Sequence, residues 1–272
     1  MKSIIMSADD YAQSAEIENG ILHLIRLGRL TATSCLTLSP RWQMSAKLLT
    51  PDIRQNADIG LHLDFTQYAH PLRHSLPTLI IKTALRMLSK KQIKHSIQIQ
   101  LDAFEDALGT GPDYVDGHQH VHQLPQIREV LIQELSHRYA NHLPWIRIAA
   151  PPVGDGLKAV VIKLLGAKRL EQLVIANGLP YSKSLLGVYA FHLNADDYRQ
   201  QLNVWLSNLE TTADPIAMMC HPATGVKDFT QQDDPILAAR FAEYAVFADD
   251  AFVSLLADKR IRLIRGSQFM TS

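Results

Sequence analysis

Short apolar runs alternate along this chain with longer segments whose apolar residues return every three or four positions. The first pattern predicts strands buried on both faces, the second amphipathic helices. Ser3 to Ala8 reads as a strand ending on Asp9-Asp10. Ile17, Ile21, Leu24 and Ile25 then follow a helical period, with Gly28 where a C-terminal cap belongs. Thr31 to Leu38 is a second strand, Arg41 to Leu49 a short helix before Pro51, and Ala57 to Phe65 a third strand. A polar stretch, Thr66 to Pro77, leads into two helical segments. In the second, Ile93, Ile97, Leu101, Phe104 and Leu108 form one stripe that stops at Gly109-Thr110-Gly111-Pro112. Asp113 to Gly117 is a fourth strand. Pro125 suits the first turn of a helix faced by Ile127, Val130, Leu131 and Leu135. Trp145 to Ala149 is a fifth strand, Leu157 to Asn177 a helix, Gly187 to Phe191 a sixth strand and Asp196 to Leu209 a helix. Ile216 to Cys220 is a seventh strand, Asp234 to Ala257 a long helix and Ile261 to Ile264 a closing strand.

Strand and helix alternate throughout, which predicts a parallel sheet covered by helices. Seven or eight such units fit a (β/α) barrel; an open doubly wound sheet is the alternative. No repeat or linker divides the chain, and Pro151-Pro152-Val153-Gly154 reads as a loop, so residues 1–272 are expected to form a single domain. Lys+Arg and Asp+Glu both number 27, and no basic stripe points to nucleic acid. Cys35 and Cys220 lie in apolar runs and read as reduced core thiols. The N-terminus is too short in apolar residues and too acidic for a signal peptide, and no run reaches membrane-spanning length. The expected setting is cytoplasmic.

Candidate chemistry concentrates in Asp116-Gly117-His118-Gln119-His120-Val121-His122. In an extended strand the four titratable residues would share one face; in a helix His118 and His122 would. A His-rich surface turn is the bland alternative. The rest of the chain argues against it, because other polar residues also fall at strand ends. Asp9-Asp10 follow the first strand, His62 and Asp64 close the third, Arg147 lies late in the fifth and His221 follows the seventh. A parallel barrel would bring these together with His118 at the mouth formed by its C-terminal strand ends. An Asp pair ahead of a helix could simply cap it. Beside His62 and His118 it offers one carboxylate and two imidazoles, a set suited to Zn²⁺ with an open position. The second carboxylate is then free to take a proton. Asp64 shares the strand face of His62 and reads as its hydrogen-bonding partner. Taken singly, His62 could be a satisfied core histidine and His221 a local hydrogen-bonding group. Asp196-Asp197 and Asp233-Asp234-Pro235 read as helix starts and Asp249-Asp250 as a solvated helix face. His70, His74, His95, His137 and His142 read as surface residues.

Four motifs occur in order: Ala8-Asp9-Asp10-Tyr11, Gly60-Leu61-His62-Leu63, Asp116 to His122, and Met219-Cys220-His221-Pro222. They are followed by Asp233-Asp234-Pro235-Ile236, Arg240, Glu243-Tyr244 and Ile261 to Gly266. In these the sequence resembles the YdjC-like carbohydrate deacetylases, the group containing chitooligosaccharide and hopanoid-associated deacetylases. The resemblance implies a distorted (β/α) barrel and metal-dependent removal of an N-acetyl group from an amino sugar or short oligosaccharide. It implies one divalent ion, Zn²⁺ first and Mg²⁺ second, held by Asp10, His62 and His118. Asp9 would be the general base, His221 the catalytic acid and Arg147 the group that orients the catalytic Asp. His120 and His122 would stand behind the ligands or face the substrate. The expected partner is a small N-acetylated sugar, with a homodimer left open. Where the family often has Gly, this chain has Ala12 and Ala223, and Gln67 stands where an acidic residue is common. The segment between His62 and Asp116 is short. These departures spare the ligands and touch the substrate pocket. Two rivals are a metal-dependent phosphoesterase on a similar barrel, with two or three metals, and a non-catalytic sugar-binding protein with a decayed site.

Overall fold

The computed structural model describes residues 2–152, 162, 164–209, 215–225 and 234–270. Its strands are β1 (Lys2–Tyr11), β2 (Ala32–Cys35), β3 (Asp58–Leu63), β4 (Tyr114–Gly117), β5 (Trp145–Arg147), β6 (Tyr181–Ser182), β7 (Ser184–Leu186), β8 (Ile216–Cys220) and β9 (Ile261–Leu263). The helices are α1 (Ala15–Arg26), α2 (Trp42–Ser45), α3 (Pro51–Asn56), α4 (Leu76–Ala84), α5 (Lys90–Leu108) and α6 (Ile127–Arg138). They continue with α7 (Ala167–Ala176), α8 (Ala195–Ser207), α9 (Leu237–Ala248), α10 (Asp250–Asp258) and α11 (Gly266–Met270).

Every strand pair is parallel, and neighbours run β6-β5-β4-β3-β2-β1-β8-β7. The two ends of that path are one piece of chain, since only Lys183 separates β6 from β7. β6 lies on β5 and β7 on β8, so this piece closes the path into the expected (β/α) barrel. Closure excludes the open doubly wound sheet. β9 joins only the first residues of β1.

Alternate strand residues fall into two apolar clusters, as the two-residue period of a strand requires. Ile4, Met6, Met218 and Cys220 pack with the helices outside. Ile5, Ala32, Tyr114, Trp145, Leu185, Ala217 and Met219 fill the barrel interior. There the Tyr114 and Trp145 rings stack with centroids 4.3 Å apart. A Cβ on Gly60 would lie 2.4 Å from the Tyr114 ring, so this position leaves no room for a side chain. Below the stack, Asp58 is fully buried and anchors the C-terminal segment. It accepts from Arg265, the Ser267 N–H and hydroxyl, and the Trp145 indole.

Several elements differ from the sequence reading. The sixth strand lies over 181–186, ahead of Gly187 to Phe191. Its polar sequence Tyr-Ser-Lys-Ser-Leu-Leu carries no strand signature by itself; it is extended because it has a neighbour at each end. The long C-terminal helix is two, broken where Asp249 leaves the helical backbone and its side chain accepts the Ala251 N–H. Asp249 is therefore a cap and no helix face. Thr31 to Leu38 forms only four strand residues, and Arg41 to Leu49 divides into α2 and a 3-10 turn. Of Leu157 to Asn177, residues 157–161 and 163 lie outside the described residues, and α7 runs from Ala167 to Ala176.

Candidate active site

The interior parity that places Ile5 and Tyr114 in the barrel also turns the next residues of each strand inward. Ser7 follows Ile5, Ser34 follows Ala32, His62 follows Gly60, Asp116 follows Tyr114 and Arg147 follows Trp145. Register holds them level: Gly60 pairs with Tyr114 and His62 with Asp116. Tyr114 reaches Ser7 Oγ at 2.9 Å, and Arg147 Nη1 donates to the same oxygen at 3.0 Å. The site thus stands on the aromatic floor of the barrel and opens at the C-terminal strand ends.

β1 carries a bulge there: between Ala8 and Tyr11 it spends one residue more than β2. Asp10 takes φ 67° inside it. A bulge re-aims side chains, and here two consecutive carboxylates reach into the site, where a regular strand would face them apart. Asp9 receives both Arg147 Nη atoms, at 2.5 and 2.6 Å. Asp10 Oδ1 lies 3.0 Å from His118 Nδ1 and 3.3 Å from His62 Nε2. The other oxygen, Oδ2, accepts from Arg240 Nη2 at 2.7 Å. Ala12, one residue past β1, sits at φ 76°, a backbone region that favours the glycine common in the family.

Asp116 fixes the ring of His62. Its Oδ1 lies 2.6 Å from His62 Nδ1, and its Oδ2 accepts from Ser34 and lies 2.9 Å from Arg147 Nη2. Only Nε2 of His62 is left to face Asp10. Burial raises the Asp116 carboxyl, but Arg147 and His62 outweigh it and bring its pKa down to about 2. Burial likewise opposes charge on His62, yet Asp116 and Asp10 push its pKa up to about 10. Asp10 is also disfavoured as a charge by burial, and Arg240, His118 and His62 hold it well below the usual carboxylate range. A cation bound between Asp10 and the two imidazoles would take the place of the proton on His62.

Asp10, His62 and His118 each offer one ligand atom, all within 4.8 Å of one another. One carboxylate oxygen and two imidazole nitrogens, one of them oriented by a carboxylate behind it, form a set that could hold a divalent metal ion. Asp9, His62 and Asp116 also lie within that reach. Arg147 already holds both of those carboxylates, so a second cation there would meet a fully buried guanidinium.

His221 stands across the mouth as the first residue past β8. Its Nε2 is 3.9 Å from Asp9 Oδ2 and its Nδ1 3.9 Å from Glu243 Oε1. The Phe191 ring meets it edge-on, with centroids 5.0 Å apart.

The structure therefore brings together all six residues expected from the sequence: Asp9, Asp10, His62, His118, Arg147 and His221. The histidine motif itself is built differently. Neither the strand nor the helix reading holds: β4 ends at Gly117, and His118–Gln123 form a 3-10 turn with Gln119 and His120 left-handed. Only His118 reaches Asp10. His122 Nε2 faces the Arg147 carbonyl at 2.9 Å, supporting the strand that presents Arg147. His120 is buried, and burial together with Arg147 keeps its pKa well below the ordinary value. Asp64 is no partner of His62: its carboxylate accepts the N–H groups of Thr66, Gln67 and Tyr68 and closes the loop past β3. The sequence reading gave no role to Ser34, Tyr189, Arg240 or Glu243. Arg240 and Glu243 carried a signal, being the only two charged residues in the apolar segment 237–248, three apart. Cys35 and Cys220 are free, buried thiols, and burial raises both well above the ordinary range.

Fold and site together define a parallel barrel with a candidate metal-binding Asp/His cluster at its C-terminal mouth. Residues 3–258 match the YdjC-like protein family, and the chain belongs to that family. It is 27% identical over 147 residues to a carbohydrate deacetylase of Mus musculus, covering 48% of this chain and 46% of that protein. The chain spans about half the length of the mouse and human relatives it matches. A chitooligosaccharide deacetylase of Klebsiella pneumoniae is 23% identical over 273 residues, 96% of each chain. In structure, an Enterococcus faecalis protein proposed to be a cellobiose-phosphate cleavage protein aligns with a TM-score of 0.73 at 17% identity over 99% of both chains, a likeness of fold. Among the described residues, no helix is long and apolar enough to cross a membrane.

Proposed function

We propose that this chain is a metal-dependent carbohydrate deacetylase, working as one barrel domain on a small N-acetylated sugar. The observation that carries the reading is the placement of Asp9 and His221. Their side chains lie 3.9 Å apart beside the Asp10–His62–His118 cluster, with Asp9 held on a two-pronged guanidinium. The relative that matches along nearly its whole length is named a chitooligosaccharide deacetylase.

In this reading Asp10, His62 and His118 hold one divalent ion, Zn²⁺ by preference for a mixed nitrogen and oxygen set, with Mg²⁺ second. When bound, the ion would polarise the acetyl carbonyl and acidify the attacking water. Asp9 takes the proton of that water. Arg147 keeps both Asp9 oxygens in place, so the carboxylate meets the water in one orientation. As the C–N bond breaks, His221 Nε2 gives its proton to the amine, which is a poor leaving group without it. Acetate and the free amino sugar leave. Burial of Asp9 and Arg147 keeps water from loosening this pair. Buried thiols at Cys35 and Cys220 suit a cytoplasmic setting.

The test is a screen of N-acetylated mono- and oligosaccharides for acetate, with phosphorylated sugars followed for phosphate. Acetate release is the expected result, and Asp9→Asn should cut it by roughly 10²–10⁴-fold while metal content stays full. Phosphate release would establish the phosphoesterase. Sugar binding with no turnover by the metal-loaded protein would establish the decayed site.

A further inference from the structure

Helix α9 is apolar along most of its length, yet it buries two charged side chains three residues apart. Arg240 is 2% exposed and Glu243 is 1% exposed. A spacing of three puts both on one face of the helix. They do not pair with each other. Each reaches a different half of the site.

Arg240 lies between Asp10 and Asp234. Its Nη2 donates to Asp10 Oδ2 at 2.7 Å and its Nε to Asp234 Oδ2 at 2.6 Å. Nη1 points at the His221 carbonyl at 3.5 Å. A guanidinium fixed at both edges can hold a carboxylate in one plane. With Oδ2 occupied, Oδ1 is the oxygen left to face His62 and His118. Glu243 accepts the backbone N–H of His221 and the hydroxyl of Tyr189, the latter at 2.6 Å. Its Oε1 is also the carboxylate oxygen nearest His221 Nδ1, a buried atom without a hydrogen-bond partner.

We propose that α9 is a positioning helix for the site. Arg240 fixes the carboxylate of Asp10 with one oxygen free for a cation, and Glu243, one turn later, orients the imidazole of His221. The inference rests on the deacetylase reading only for the roles of Asp10 and His221.

Two measurements test the helix, neither of which needs turnover. In calorimetric titration of the metal-stripped protein with Zn²⁺, Arg240→Gln and Arg240→Lys should each bind about 10- to 100-fold more weakly, the usual cost of losing a group that orients a ligand. Lys keeps the charge but lacks the fork. If Arg240 acted only by screening Asp10, Gln would bind Zn²⁺ more tightly and Lys would bind as the parent does; either result overturns the proposal. In NMR spectra of the histidine rings, Glu243→Gln keeps an acceptor for the His221 backbone N–H and loses the charge. The His221 ring signals should shift and broaden as the imidazole loses its single orientation. Tyr189→Phe removes a donor that holds the same carboxylate, so it should disturb the same signals. His221 ring signals that stay as in the parent in both variants overturn the role of Glu243. Absence of acetate release from the parent protein would count against the deacetylase and leave both measurements standing.

Discussion

The first and last histidines of the motif show how little a residue type says without its partners. His118 faces Asp10, whereas His122, four residues later, is fully buried and faces the Arg147 carbonyl. Burial, with Arg147 adding to it, brings the His122 pKa down from 6.5 to about 4. Between these values the unfolded chain binds a proton that the folded chain does not. The stability from neutral His122 is therefore fully present above about pH 6.5 and falls as pH drops toward 4. At 1.36 kcal/mol per unit the loss is on the order of 3 kcal/mol. His122→Gln keeps a donor for the carbonyl and cannot be charged. Urea unfolding followed from pH 7 to pH 4 should show a shallower loss for this variant. Equal slopes would mean that His122 is not a main source of the acid sensitivity. All six expected site residues were legible because each lies at or just past the end of an apolar run that reads as a strand. Ser34 and Asp116 were harder to read, because what they do depends on β2, β3 and β4 lying side by side in register.

At the scale of elements, the strands buried on both faces were the readable part. Ile216 to Cys220 is all apolar, and its bounds match β8. Elements specified by contact were not. Nothing local marks 181–186 as a strand, and nothing but two acidic residues marks the break between α9 and α10. The left-handed Gln119 and His120 lack glycine altogether. The interior layer has the same non-local character. Gly60 is flat against Tyr114, which Trp145 pins from its other side, so a methyl group there has nowhere to go. Gly60→Ala should destabilise the fold by about 1–3 kcal/mol, the usual cost of overpacking a core. The shift of the denaturation midpoint measures it. A neutral substitution would mean that the aromatic floor is loose enough to move, and the level that carries His62 and Asp116 would then lose its stated support.

For the whole molecule, the barrel sorts its chemistry by height. Asp58 and its partners close the bottom, the Tyr114–Trp145 stack fills the middle, and charge gathers at the mouth. Helix α9, from the far end of the chain, reaches the residues of β1 through Arg240. The central claim is that this mouth holds one cation and that deacetylation needs it. The most direct measurement is acetate release by metal-stripped protein as Zn²⁺ is added back. The account predicts activity near zero at the start, rising linearly and breaking at one equivalent, with no rise in His118→Ala. Full activity in the stripped protein, or a break at two equivalents, would contradict it.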